Sequence, residues 1–400
     1  MRKDHAPTMT TTFDDDLISL RRRLHQIPEV GLLLPETQAT VLEALAGLDL
    51  EISTGIALSS VVAVLRGTAT DRTDRVVLLR GDMDGLPVVE NSGEPFAALG
   101  ETMHACGHDL HTAGLVGVAR LLVERRAELR GDVVFMFQPG EEGWDGAGAM
   151  IAEGVLTAAG RRADAAYGLH VIANAIPHGV VTTRPGTLMA ASSGLYVTVH
   201  GAGGHGSRPH TAADPIGVAA EMVTALQTMA TRQFDLFDPV VVTVGTFHAG
   251  TRRNIIPETA TFEATIRTLS ESHVATMEKA TVRLCEQIAA AHGCRAEVRF
   301  EPEYPLTVND AAKTAFALEV AVDLVGADRV ELLEFPELGS EDFSRVLAEV
   351  PGCYLFVGAC PTDPMTAPGN HAPGARFDDA VLGDCARLLA ELAVRELAAG

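Results

Sequence analysis

A chain of 400 residues is longer than one ordinary core needs and shorter than three would require, so two domains are expected. Hydrophobic residues make up 47% of it and charged ones 21%, a globular balance that excludes a disordered chain. The formal net charge of −22 excludes nucleic acid as a natural partner, because phosphate binding needs a basic face; otherwise such a charge serves solubility.

The opening stretch MRKDHAPTMTTTFDDD lacks the apolar core of a signal peptide, and no apolar run approaches the ~18–20 residues of a membrane span. A cytoplasmic protein without a membrane partner is therefore expected. The cysteines, Cys106, Cys285, Cys294, Cys353, Cys360 and Cys385, show no metal-finger spacing. In a reducing compartment most should be buried thiols, with Cys106 as the exception.

In chain order, Leu17–Leu48 reads as a helix, a break around Gly31 and Pro35, and a second helix. β-Branched runs follow at Val61–Leu65 and Val76–Leu79, then a helical pattern over His111–Leu129 and a strand at Asp132–Phe137. Alternating strands and helices predict an open α/β sheet with its site beyond the carboxyl ends of the strands. The motifs GDMD, QPGEEG and GLH each directly follow an apolar, strand-like run.

A Pro/Gly/Ser-rich stretch, TRPGTLMAASS, then reads as a linker. Beyond it the order strand (Leu195–His200), helix (Pro215–Met229), strand (Val240–Phe247), strand (Thr259–Thr268), helix (Ser270–His292), strand (Ala296–Phe300) predicts an inserted ferredoxin-like module. The expected division is a catalytic domain over 1–188 and 303–400, with the insert over 189–302.

Chemistry concentrates in MHACGHDLH, where one thiol, three imidazoles and a carboxylate fall within His104–His111. In an extended segment alternate residues share a side, so Cys106 and His108 can grip one ion. A thiolate with an imidazole suits zinc, nickel, cobalt or iron(II) better than magnesium or calcium. The competing reading is a polar loop capping the next helix. In QPGEEG, adjacent Glu141 and Glu142 point in different directions, so one can ligate a metal while the other deprotonates a water. A random Glu pair is more often a solvated surface. His170 in GLHV and His371 in GNHAPG would each, alone, read as a hydrogen-bonded structural histidine. With Cys106, His108 and Glu142 they make five donors, about right for two ions sharing a bridging group. Within the insert, His205 and His210 lie in a Gly-rich loop, Asn254 in RRNIIP and Arg267 at a strand end; these donors suit an oxyanion or a carboxylate.

The ordered set RGDMDGLPVVE, MHACGHDLHTA, FQPGEEG, GLHV, GGHGSRPH, NIIPETA, GSEDFS and NHAPGARFDD resembles the metallo-aminoacylase and carboxypeptidase family. Within that family it resembles the branch of hippurate hydrolases, indole-acetyl-amino-acid hydrolases and related N-acyl-amino-acid amidohydrolases. The likeness runs from Leu20 to the C-terminal helix. It implies a mixed α/β catalytic domain carrying an inserted lid and dimerisation module, with two divalent ions (zinc, manganese, nickel or cobalt). It implies Cys106, His108, Glu142, His170 and His371 as metal ligands, and Glu141 as general base. It also implies Asp84 as the carboxylate that orients a ligand histidine, and His205 as oxyanion donor, often across a dimer interface. Asn254 and Arg267 would hold the substrate, a small N-acyl amino acid or a dipeptide. A dipeptidase or carboxypeptidase on the same centre, or a binding homologue without turnover, are the alternatives. The chain departs from the family pattern at Gly140 (usually Ala), at Ile27 (usually His) and in the longer NHAPGARFDD motif. Cys106 stands where other branches often carry an Asp, and as an exposed thiolate it is expected to oxidise readily.

Overall fold

A computed structural model describes residues 10–399. They form two compact units. The first runs to Gly186 and includes Val308–Glu334 and the chain from Arg345 onward; the second comprises Thr187–Thr307 and Phe335–Ser344. The sequence assigned 335–344 to the catalytic domain. Backbone hydrogen bonds from Ala190 N to the Glu337 and Gly339 carbonyls, and from Glu337 N to Leu188 O, instead stitch it to the start of the second unit.

In the first unit, helices α1 (Thr10–His25) and α2 (Pro35–Leu45) lead into strands β1 (Glu51–Thr54), β2 (Val61–Arg66) and β3 (Val76–Asp82). Helix α3 (His108–Glu124), β4 (Asp132–Gln138) and β5 (Ala165–Ile172) follow. The eight-stranded sheet has the order β1-β2-β4-β3-β5, then Gly352–Gly358, Val181–Thr183 and Val330–Leu332. From β4 through β3 and β5 to Gly352–Gly358 every neighbouring pair is parallel, so these strands deliver their carboxyl ends to one edge. Every residue of β3 and of β4 is buried, the continuous burial expected of central parallel strands covered on both faces. Leu17 and Leu24 of α1, Val116 and Leu122 of α3, and Leu389 and Leu392 of the C-terminal helix Leu382–Ala398 belong to the same core.

Helix α3 starts three residues earlier than its apolar periodicity predicts. The polar residues His108, Asp109 and His111 disguised its first turn, yet all three are buried. Their polarity serves neighbouring side chains rather than solvent.

The second unit carries a four-stranded antiparallel sheet ordered Val240–Ala249, Thr259–Thr268, Ala191–His200, Arg295–Tyr304. Helices Pro215–Arg232 and Glu271–Ala291 complete the expected β-α-β-β-α-β sequence, and the strand order is that of a ferredoxin-like module. Ala260, Phe262, Ala264 and Ile266 alternate inward with the period of two that a half-covered strand requires. Among the described residues, no helix is long and apolar enough to cross a membrane.

Candidate metal centre

Four loops at the carboxyl edge of the parallel strands build one cluster. The turn after β3 supplies Asp84, the corner before α3 supplies Cys106 and His108, and the turn after β4 supplies Glu141 and Glu142. The end of β5 supplies His170, and the loop beyond Gly352–Gly358 supplies His371. Gly107 makes the corner possible. Its φ is +81°, and a Cβ there would lie 2.5 Å from Val171 Cγ2. Cys106 and His108 therefore meet across a left-handed residue rather than along an extended strand.

Two sets of donors share the Cys106 sulfur. Cys106, His108 and His170 form one and Cys106, Glu142 and His371 the other, with the candidate ligand atoms of each set within 4.8 Å of one another. The sulfur lies 3.3 Å from His170 Nε2 and 3.1 Å from His371 Nε2, which in turn is 3.0 Å from Glu142 Oε1. Cys106 is only 7% exposed, which corrects the expectation of an exposed, easily oxidised thiolate. His371, at the outer side, has 54% of its side chain exposed.

The ring nitrogens of fully buried His108 make no hydrogen bond; the closest carboxylate oxygens belong to Asp84, at 3.4 Å, and Asp82, at 3.5 Å. Glu142 Oε1 is likewise buried, with His371 Nε2 at 3.0 Å and His108 Nε2 at 4.0 Å. Buried polar atoms are nearly always satisfied, so unsatisfied donors facing a thiol call for a ligand. Divalent metal ions fit this set by chemistry, with soft sulfur, imidazole and carboxylate together.

Charges in the cluster are unevenly held. Burial opposes protonation of His108, but Asp82, Asp84 and Cys106 outweigh it and raise its pKa well above the usual imidazole value. Hydrogen bonds to Cys106 and Glu142 raise His371 to about 10. Burial, reinforced by nearby His111, pushes His170 well below the ordinary value. Glu142 is lowered despite burial, through His371 and His108. Protonation is thus favoured at His108 and His371 and disfavoured at His170.

Around the cluster lies a set of fixed supports. Asp84 accepts the backbone N–H groups of Glu141 and Glu142, one on each oxygen at 3.0 Å, besides its approach to His108 Nδ1. It therefore sets both glutamates as well as the histidine. His170 Nδ1 donates to Val171 O at 2.8 Å, leaving Nε2 unprotonated toward the sulfur. His111 Nε2 accepts the Val171 N–H at 2.8 Å, so its proton is on Nδ1, which donates to Asp82 at 2.6 Å. With both nitrogens used, His111 is a support and not a ligand. Asp82 is held well below the usual carboxylate range: burial opposes this, but Arg80, whose guanidinium is 2.6 Å away, dominates with His108 and His111.

A second buried network anchors α3 to α1. Asp109 pairs with Arg21 at 2.7 Å and with His25 Nδ1 at 2.8 Å, and His25 Nε2 reaches Glu90 at 3.1 Å.

The three remaining predicted residues lie in the second unit. His205 and Asn254 adjoin there: His205 pairs with Ile255 in a short antiparallel bridge, and Gly206 N donates to Asn254 O at 2.9 Å. His205 Nδ1 accepts from Ser207 N at 3.2 Å and lies 2.9 Å from Ser207 Oγ. Arg267 is not with them. It sits near the far end of strand Thr259–Thr268, opposite Ser192, whose hydroxyl it contacts. Thr259, at the His205 end, is separated from it by roughly 26 Å of strand rise.

Sequence reasoning missed Asp82, His111 and Asn370 as parts of the site. Asp82 and His111 were visible inside GDMD and MHACGHDLH, but nothing in their spacing distinguishes a ligand from its support. Asn370 was visible only as the neighbour of His371.

The profile of Peptidase family M20/M25/M40 matches residues 78–395, and the chain belongs to that family. It is 37% identical to thermostable carboxypeptidase 2 of Saccharolobus solfataricus over 374 residues, covering 92% of each chain. It is 36% identical to IAA-amino acid hydrolase ILR1-like 5 of Arabidopsis thaliana, covering 96% of this chain and 87% of the relative. The solved structure of the Bacillus subtilis YXEP protein, a dinuclear metal binding peptidase from the M20 family, superposes with a TM-score of 0.83 at 32% identity. That likeness covers 98% of this chain and 99% of the other.

Proposed function

We propose that the protein is a two-metal amidohydrolase that cleaves small N-acyl amino acids into a carboxylic acid and a free amino acid. The observation that carries this reading is the pair of donor sets sharing the Cys106 sulfur, with Glu141 beside them. Cys106, His108 and His170 would hold one divalent ion; Cys106, Glu142 and His371 would hold the other. Zinc, manganese, nickel and cobalt all suit these donors. Bound there, such ions supply Lewis acidity, which polarises an acyl oxygen and acidifies water.

The chain's own residues supply the rest. The Glu141 carboxylate takes a proton from the attacking water as its oxygen joins the acyl carbon. It then delivers that proton to the leaving nitrogen as the C–N bond breaks. Asp84 fixes the backbone of Glu141, so the base is already aimed before substrate arrives. His205 donates to the developing oxyanion, Asn254 holds the substrate backbone, and Arg267 pairs with its carboxylate.

The length of strand Thr259–Thr268, which sets Arg267 far from the end where the His205 bridge lies, supports a homodimer. One small substrate cannot touch both within a single chain, so His205 would come from a partner's inserted lid. The six free thiols suit a cytoplasmic setting.

The two curated relatives divide by name between a carboxypeptidase and an IAA-amino acid hydrolase, so a peptide substrate is the rival reading. A substrate panel separates them. Metal-reconstituted protein is assayed on N-acetyl, N-benzoyl and indole-acetyl amino acids beside dipeptides, with and without chelator. Chelator-sensitive hydrolysis favouring the N-acyl series supports the proposal; turnover confined to dipeptides, or none at full metal loading, contradicts it.

A further inference from the structure

Asn370 ties the loop bearing His371 to the centre. Its Oδ1 accepts the Ala173 N–H at 2.8 Å, while Nδ2 faces Val171 O at 3.1 Å and Cys106 O at 3.4 Å. Two carbonyls beside one end and an N–H beside the other fix the orientation of the amide. The same NH₂ group lies 3.7 Å from Cys106 Sγ, the atom common to both donor sets. The next residue, His371, has a φ of +69°, a conformation that side-chain-bearing residues avoid. Its own N–H is tied to Ala105 O at 2.8 Å, beside the same corner. His371 is thus held in an unfavourable backbone conformation by contacts to the segments carrying Cys106 and His170.

We infer that Asn370 is a positioning residue for one half of the centre. It holds His371 against Glu142 and donates an N–H to the shared Cys106 sulfur. The inference rests on the two-ion reading above. A hydrogen bond to a ligating sulfur withdraws electron density from it, and partners of this kind set both ligand orientation and metal affinity. The other half keeps supports of its own: Asp84 and Asp82 approach His108, and His170 Nδ1 bonds Val171 O, a carbonyl Asn370 also faces. Loss of Asn370 should therefore be felt unequally by the two ions. This also gives a physical role to the longer C-terminal motif, in which Asn370 directly precedes the ligand.

The test is a cobalt(II) titration of metal-free wild type, Asn370→Ala and Asn370→Asp, followed by calorimetry and by the sulfur-to-cobalt charge-transfer band. Melting temperatures of the metal-free proteins are measured beside it. Asn370→Asp keeps an oxygen for the Ala173 N–H and removes the donor, so it reports the lost donor even if the alanine variant folds poorly. Wild type should bind two ions. Both variants should bind one ion roughly 10–100-fold more weakly and the other with a clearly smaller loss, with the charge-transfer band displaced. Unchanged affinities and an unchanged band would overturn the inference. So would equal weakening of both ions in step with a lower melting temperature, the mark of a general structural defect. Failure of wild type itself to bind two ions would refute the two-ion reading, and the inference with it.

Discussion

Glu141 and Glu142 are neighbours with different proposed roles, and Asp84 holds the backbone of both. Each Asp84 oxygen accepts one of the two backbone N–H groups, so the turn cannot rotate without breaking a charge-assisted bond. In Asp84→Asn only one oxygen remains, and an NH₂ group faces an N–H. Metal content should be kept or modestly lowered while kcat falls by about 10–100-fold, the usual range for a support behind a metal site. Steady-state kinetics on metal-analysed protein checks this; unchanged kcat would show that the turn is held by other means.

The corner before α3 is where element and site coincide. Gly107→Ala forces an L side chain into the left-handed region, at ~1–2 kcal/mol. It also drives a Cβ against Val171, one residue from His170. Both thermal stability and metal affinity should drop together, measured by melting with and without cobalt or zinc.

The clamp between α1 and α3 predicts a pH dependence. Burial works against a charged His25, but the Asp109 charge, with the hydrogen bonds His25 donates to Asp109 and Glu90, raises it from 6.5 to about 9. A raised folded-state pKa stabilises below the unfolded value. The contribution is therefore complete below pH 6.5 and disappears as pH climbs through 9. Its size is of order 3 kcal/mol. Chemical denaturation across this window should show stability falling with rising pH, and His25→Gln should flatten that part of the profile.

Strand Thr259–Thr268 was legible to the residue, because alternation on a half-covered antiparallel strand is unambiguous. The first turn of α3 was not, because a buried polar turn looks like a loop when polarity is taken as exposure. The five candidate donors were legible behind apolar strands, and the fold brings them together. Their sharing through one sulfur was not legible, since three of the five arrive from loops separated by up to 265 residues. The segment Phe335–Ser344 was assigned to the wrong unit because its attachment is by backbone bonds to Leu188 and Ala190, which leave no mark in side-chain pattern.

For the whole molecule, the proposed dimer makes His205 and Glu141 of one site belong to different chains. Mixing Glu141→Gln and His205→Ala homodimers, each nearly inactive, should then recover about a quarter of wild-type turnover, since half the dimers hold one intact site. If the histidine serves its own chain, mixing recovers nothing.

A two-ion centre organised on Cys106 would work through Glu141 as its base. The most direct measurement is turnover of an N-acyl amino acid by Glu141→Gln carrying the same metal content as wild type. A loss of about 10²–10⁴-fold at unchanged metal stoichiometry is predicted. Undiminished turnover by that fully loaded variant would contradict the account.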